Sequence, residues 1–175
     1  YSTAVTSFNS LVYGIYMQSA DSNTLTGVYA RNDLGTAIYM DPSSDYNFVG
    51  RSTAASRNTG TAMSLNIAGS WNMIDRSLIL NMSGSAAYFG SSHDNTISLS
   101  TMISNSSAYA LWYFGADSNT VTGSYLQNAA GYAVNMVSGS DYNAISQSTM
   151  VSANVNGYAL YITNSDSNVV TGSMM

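Results

Sequence analysis

Three groups of residues in this chain have types and spacings that could do chemistry. The first is a set of aspartates, Asp21, Asp45, Asp117, Asp141 and Asp166, each two residues before an asparagine, with Asp94 one place out of step. If the chain repeats in space at those intervals, neighbouring carboxylates stand about 5 Å apart. Like charges that close repel each other or gather a cation, and Ca²⁺ would suit such an oxygen-rich edge. The simpler alternative is that each Asp bonds the backbone of its own turn and stays solvated. The second group is a row of aromatics, Tyr16, Tyr39, Tyr88, Trp112 and Tyr161. A flat aromatic face set among Ser, Thr and Asn suits stacking on sugar rings, or lateral packing against another copy. It could equally stiffen one sheet by stacking along it. The third group is Arg51 and Arg76 with Asp75 beside them, the one mixed-charge cluster, and a surface ion pair accounts for it.

Other chemistry finds no residues to carry it. The chain has no Cys, which removes thiolate metal sites, disulfides and Cys nucleophiles. His93 is the single His, so a multi-His metal site is excluded, and it reads as a turn residue. There is no G-x-S-x-G elbow and no nonapeptide calcium repeat. Thr-x-Thr occurs at Thr24–Thr26 and Thr120–Thr122, but Phe48/Gly50 and Met73/Asp75 interrupt the columns, so no flat Thr array forms. No catalytic residue emerges, and the expectation is a chain that is not an enzyme, with no cofactor beyond the calcium option at the Asp column.

The elements that would position these groups come from a repeat. Asn23, Asn47, Asn72, Asn95, Asn119, Asn143 and Asn168 follow one another at 24, 25, 23, 24, 24 and 25 residues. Two places after each stands an aliphatic: Leu25, Val49, Ile74, Ile97, Val121, Ile145 and Val170. Five places after it stands Ser in six of the seven, with Val28 the exception. A later strand has paired apolar columns that begin Ile15/Met17 and Ile38/Met40, run through Met63/Leu65 and end at Leu160/Ile162. Apolar residues recur every second position, the strand period, and no 3.6-residue stripe is present. Each unit is thus one coil of about three short strands, unable to bury its apolar side without neighbours. Seven coils at roughly 4.8 Å each make a rod on the order of 34 Å long. The Asn column suits a sharp corner, where its amide can both donate to and accept from turn backbone and the next copy.

The pattern S-x-S-N-x-V-x-G-S, followed by G-Y-A-L-x-I, resembles the repeat of pectin-lyase-like parallel β-helix proteins. That group includes pectate lyases, polygalacturonases and carbohydrate-binding β-helix proteins related to NosD. The resemblance covers almost the whole chain. It implies an all-β, right-handed parallel β-helix, with Asn23 through Asn168 as an inward Asn ladder at one corner. At the next corner the family often carries a second Asn and this chain carries Ser.

A longer repeat lies over the first: residues 20–56 and 116–152 are identical at 19 of 37 positions. The chain begins and stops in the same phase of the coil, with no cap at either end, so 1–175 is expected to be one solenoid segment of a longer array or filament. Charged residues make up only 7%, with no Lys or Glu, and the net charge of −5 argues against a nucleic-acid partner. No apolar run is long enough to span a membrane. Asn81 and Asn105 begin N-x-S sequons. The composition is that of a secreted or cell-surface β protein. The expected role is a structural building block of a fibre or adhesin stalk, self-associating end to end, with the aromatic row as the surface for lateral packing or a glycan. The alternatives are a carbohydrate-binding β-helix module and a fragment of a polysaccharide lyase or hydrolase.

Overall fold

The structure, a computed structural model, describes residues 2–6, 13–57 and 65–175. Among them the chain winds as a right-handed parallel β-helix with three strands per coil. Each coil contributes one strand to each of three parallel sheets, and each sheet has seven strands. The first sheet runs Ser2–Thr6, Val28–Asn32, Thr53–Ser56, Leu78–Asn81, Thr101–Ser104, Tyr125–Asn128 and Thr149–Ser152. The second runs Ile15–Met17, Ile38–Met40, Leu65–Ile67, Ala87–Gly90, Tyr109–Phe114, Tyr132–Val137 and Leu160–Ile162. The third runs Thr24–Thr26, Phe48–Gly50, Met73–Asp75, Thr96–Ser98, Thr120–Thr122, Ala144–Ser146 and Val169–Thr171. Every strand pairs with its equivalent one coil away, as in Val121 opposite Ile97 and Ile145.

The strands are short because the coil must close. A strand of three to six residues points only one or two side chains inward. Val49, Ile74, Ile97, Val121 and Ile145 fill the core from the third sheet, Ala54, Ile79, Met102, Leu126 and Met150 from the first, and Leu111, Val134 and Met136 from the second. Phe89 and Tyr113 stack inside it with ring centroids 5.1 Å apart. The Tyr113 hydroxyl is enclosed there without a hydrogen-bond partner, and burial pushes the phenol well above its ordinary value.

Two corners per coil require a left-handed backbone. The residue before each corner Asn has a positive φ in all seven coils: Ser22, Tyr46, Trp71, Asp94, Ser118, Tyr142 and Ser167. So does the residue four places after it: Gly27, Arg51, Arg76, Leu99, Gly123, Gln147 and Gly172. Non-glycine residues hold this conformation only where their surroundings enforce it. The enforcing contacts are side-chain ladders. The N–H of Asn95 donates to Oδ1 of Asn119 at 2.9 Å, the N–H of Asn119 to Oδ1 of Asn143 at 2.9 Å, and the series is unbroken from Asn23 to Asn168. Each Nδ2 then donates to a carbonyl of the turn, as Asn143 does to Ala116 at 2.7 Å. After the next corner, Ser52, Ser77, Ser100, Ser124, Ser148 and Ser173 each accept the backbone N–H of the preceding coil at 3.1 Å.

The turn from the first to the second sheet has ladder residues that the sequence columns missed. Asn32, Asn81 and Asn128 alternate there with Ser56, Ser104 and Ser152. Each Asn Oδ1 accepts two turn amides, as Asn128 does from Ala130 and Gly131. Each Ser Oγ donates to the glycine carbonyl of the coil before it. Asn81 is fully buried by this role, so its sequon offers no amide for a sugar.

One register differs from expectation. Leu65, Asn66 and Ile67 pair with Ile38, Tyr39 and Met40, rather than Met63 and Leu65; Met63 and Ser64 lie outside the described residues. A slip of two keeps the same faces in and out, so alternation alone cannot detect it.

Replacing Asn119 by Ala should leave the buried Asn95 N–H without its acceptor and cost roughly 2–3 kcal/mol in urea unfolding. Tyr113→Phe should be neutral or stabilising by up to about 1 kcal/mol in the same assay, because it removes a hydroxyl that has no partner.

Candidate functional site

The Asp column sits on the outside of the Asn corner and makes its own ladder. Oδ1 of Asp21 accepts the N–H of Asp45 at 2.9 Å, and Oδ1 of Asp45 accepts that of Ser70 at 2.7 Å. Oδ1 of Asp117 accepts the N–H of Asp141 at 2.8 Å, and Asp141 accepts that of Asp166 at 2.6 Å. Each of these four carboxylates thus holds the turn of the following coil, not its own. Between the two runs, Ser70 Oγ accepts the N–H of His93 in the same way. Among the described residues no group of three or more His, Cys, Asp or Glu side chains converges as a metal site would require. Arg76 pairs with Asp75 at 2.6 Å, and Asp75 also accepts the hydroxyl of Ser98. His93 lies at the corner, edge-on to Trp71, with Nδ1 2.9 Å from Asp94.

A groove of about 520 Å³ opens on the first sheet between Tyr29, Arg31, Arg57, Leu80 and Met82. Arg31 grips Asp33 with two hydrogen bonds at its rim, which holds the Asp33 carboxyl below its ordinary range.

The aromatic row occupies the outward column of the second sheet: Tyr16, Tyr39, Asn66, Tyr88, Trp112, Asn135 and Tyr161 stand in register. The preceding turns widen it with residues absent from the sequence columns. Tyr13 packs on Tyr16 and Tyr39, Tyr109 on Trp112, and Tyr132 and Tyr158 on Tyr161. The two ends differ in ring orientation. Tyr16 and Tyr39 lie nearly parallel, 5.4 Å apart at 11°, so each covers a face of the other. From Tyr88 onward most ring pairs are inclined, at 58° between Tyr88 and Trp112, 53° between Tyr109 and Trp112, and 62° between Tyr132 and Tyr158, while Tyr158 and Tyr161 stack at 25°. Tyr88, Tyr109, Trp112 and Tyr132 are half-buried there, and Tyr158 and Tyr161 are exposed. Burial raises the phenols of Tyr39, Tyr88 and Tyr109 above their ordinary value, so they are uncharged at neutral pH.

The fold and this site define a β-helix protein of the pectin-lyase-like kind. A family model described as "Periplasmic copper-binding protein (NosD)" matches residues 55–175, and the chain belongs to that family. Among curated proteins no sequence matches the chain. Two solved structures share its fold. The periplasmic alginate epimerase AlgG superposes with a TM-score of 0.73 at 11% identity, over 93% of this chain and 42% of that one. The mannuronan C-5 epimerase AlgE4 A-module of Azotobacter vinelandii gives 0.58 at 13% identity, over 90% of this chain and 55% of that one. The chain therefore spans about half or less of either relative's length.

These findings correct the expectation of a chain that is not an enzyme. Both structures that share its fold are enzymes, so a regular ladder-bound coil is no argument against catalysis. The fold itself assigns no catalytic residue. For the copper of the family description, the single imidazole, His93, stands among Trp71 and Asp94 and meets no second His. The thioethers of Met150, Met174 and Met175 line one pocket at the last coil, and among the described residues no group of three His, Cys, Asp or Glu joins them. No helix among the described residues is long and apolar enough to cross a membrane.

Because the Asp carboxylates already hold backbone amides, adding calcium or a chelator should leave the melting temperature unchanged in scanning calorimetry. A rise with calcium would mean that the carboxylates exchange those amides for a cation.

Proposed function

We propose that this protein is a rigid β-helix outside the cytoplasm that binds polysaccharide along the outward face of its second sheet. The observation that carries the reading is the aromatic cluster of Tyr88, Tyr109, Trp112, Tyr132, Tyr158 and Tyr161, in which every contacting pair but Tyr158–Tyr161 is inclined. Open ring faces on a rigid sheet stack on the C–H faces of sugars, and their positions are set by the coil before any ligand arrives. Successive coils stand about 4.8 Å apart, close to the length of one pyranose ring, so an extended glycan along the rod meets about one aromatic per sugar. That the two similar structures are an alginate and a mannuronan epimerase supports a polysaccharide ligand, and the periplasmic family and the periplasmic AlgG support a place outside the cytoplasm. The described coils form one continuous stack, which supports treating residues 1–175 as one solenoid segment.

A structural role, as part of a fibre or stalk, is the second reading. The unbroken Asn and Ser ladders favour it, since they brace every coil against its neighbours whether or not a ligand is present.

Affinity electrophoresis through gels cast with different polysaccharides tests the first reading. Retardation should appear with at least one glycan, and Trp112→Ala should weaken it by about 2 kcal/mol, roughly 30-fold. Tyr39→Ala, in the self-stacked half, should change it little. Equal mobility of the parent and Trp112→Ala in every gel would sink the proposal.

A further inference from the structure

The glycan that the aromatic face takes can be narrowed by charge and by two polar atoms within the face, an inference that rests on the polysaccharide reading above. All four Arg residues of the chain lie at or before position 76; residues 77–175 hold Asp94, Asp117, Asp141 and Asp166 and no Lys or Arg. The inclined cluster lies wholly within that cation-free half. At the other end of the row, the charged side chain acting on Tyr16 and Tyr39 is Asp41, also negative. A polyuronate such as alginate, carrying a carboxylate on every sugar, would meet repulsion here and no guanidinium to bind it.

The second observation is polar. Asn135 stands between inward-facing Val134 and Met136, so its side chain points out through the sheet, yet it is only 4% exposed. Its neighbours in register are Trp112 and Tyr161. Asn135 Oδ1 and Trp112 Nε1 are both enclosed and both lack a hydrogen-bond partner. Enclosed polar atoms are nearly always paired in proteins, so an acceptor and a donor left open on adjacent coils point to a missing group. A hydroxyl satisfies both at once: its oxygen accepts from the indole N–H and its hydrogen donates to the amide oxygen. A carboxylate cannot, because it has no proton to give Asn135; a uronate sugar's ring hydroxyls still can, so it is the charge of the face that separates the two classes. Tyr161, opposite Asn135 in register, is exposed and Tyr132, 5.4 Å from it, is half-buried, so a hydroxyl reaches the pair by displacing exposed side chains and not core.

We infer that the aromatic face binds an uncharged, hydroxyl-rich polysaccharide, one of whose hydroxyls enters between Trp112 Nε1 and Asn135 Oδ1. The face thereby differs in ligand class from the alginate and mannuronan of the two similar enzymes.

Calorimetric titration at low ionic strength tests this with hexamers of mannose, glucose and N-acetylglucosamine, set against a mannuronate hexamer. At least one uncharged hexamer should bind at least about tenfold more tightly than mannuronate, and Trp112→Phe and Asn135→Leu should each weaken that binding by about tenfold. Melting curves of the variants should remain within a few degrees of the parent, as neither substitution removes a made hydrogen bond. Mannuronate binding as tight as any uncharged hexamer, and lost in Trp112→Phe, would overturn the uncharged class while leaving a glycan face in place. Failure of every hexamer to bind would overturn both readings together. Uncharged binding that neither variant weakens would remove the Trp112–Asn135 pair from the site. The hexamer comparison uses the unaltered chain, so it decides the class even if a variant fails to fold.

Discussion

The structure depends on how a backbone N–H is satisfied at a corner. Within a parallel sheet, each coil's amides find carbonyls on the next coil. Where the chain turns sharply that geometry fails, and a buried N–H without a partner would cost about as much as a lost hydrogen bond. Here the amide oxygen of the next coil's Asn takes the place of the carbonyl, at 2.8–2.9 Å in every coil. Its Nδ2 donates to turn backbone as well, so one side chain bridges the corner in both directions. Once the corner is held this way, the residue before it can be Ser, Asp, Tyr or Trp in a left-handed conformation, because the ladder and not the residue's own preference sets the angle. The Ser ladder repeats the device one strand later.

That bracing separates what holds the coil from what faces solvent. Core and corners need only small polar and apolar residues, which is why so few charges are required. The outward columns are then free to vary, and they do so by sector. Arg31 and Arg57 line the groove on the first sheet, Arg51 and Arg76 stand at the left-handed corner between the third and first sheets, and the outward column of the second sheet is mainly aromatic. A rigid rod can present such sectors at a fixed angular separation, whether its task is recognition or spacing.

Much of this was legible in the sequence because a solenoid makes spacing equal position. A recurrence near 24 residues is a statement that seven residues share one column, so the Asn corner, the inward aliphatics and the outward Tyr16, Tyr39, Tyr88, Trp112 and Tyr161 could all be placed. What escaped has definite causes. The left-handed corner positions carry Gly in only three of seven coils at one site and in none at the other, so no residue type marks them. The Asn32, Asn81 and Asn128 ladder alternates with Ser every other coil, and a search for one residue per coil passes over it. The register of Leu65–Ile67 was hidden by a slip of two, which conserves the face. Tyr13, Tyr109, Tyr132 and Tyr158 stand three residues before Tyr16, Trp112, Asn135 and Tyr161, but Thr36 and Ser85 fill that place before Tyr39 and Tyr88, so the column does not read as aromatic. The expectation about enzymatic activity failed for a different reason. It rests on the lack of a recognisable catalytic motif, whereas enzymes are built on this same coil.

The orientation of the rings, which no sequence column can carry, is what separates a brace from a surface. Tyr16 and Tyr39 are the same residue on adjacent coils, with room to lie parallel, and they close on each other. Trp112 is larger than its neighbours and is flanked by Tyr88 on one side and Tyr109 on its own strand, so it cannot lie parallel to both. Asn135, on the next coil, has no ring with which to continue the stack, and Tyr132 is held at an angle to both Tyr109 and Tyr161. Two Asn, Asn66 and Asn135, interrupt the aromatic column, each with an enclosed unpaired Oδ1, and the one at 135 has two linked effects. It breaks the parallel stack that would have hidden the ring faces, and it sets an unpaired acceptor beside the Trp112 N–H where those faces open. A column that only braced the sheet would gain from a ring at position 135, since an aromatic there would extend the stack and leave no enclosed acceptor.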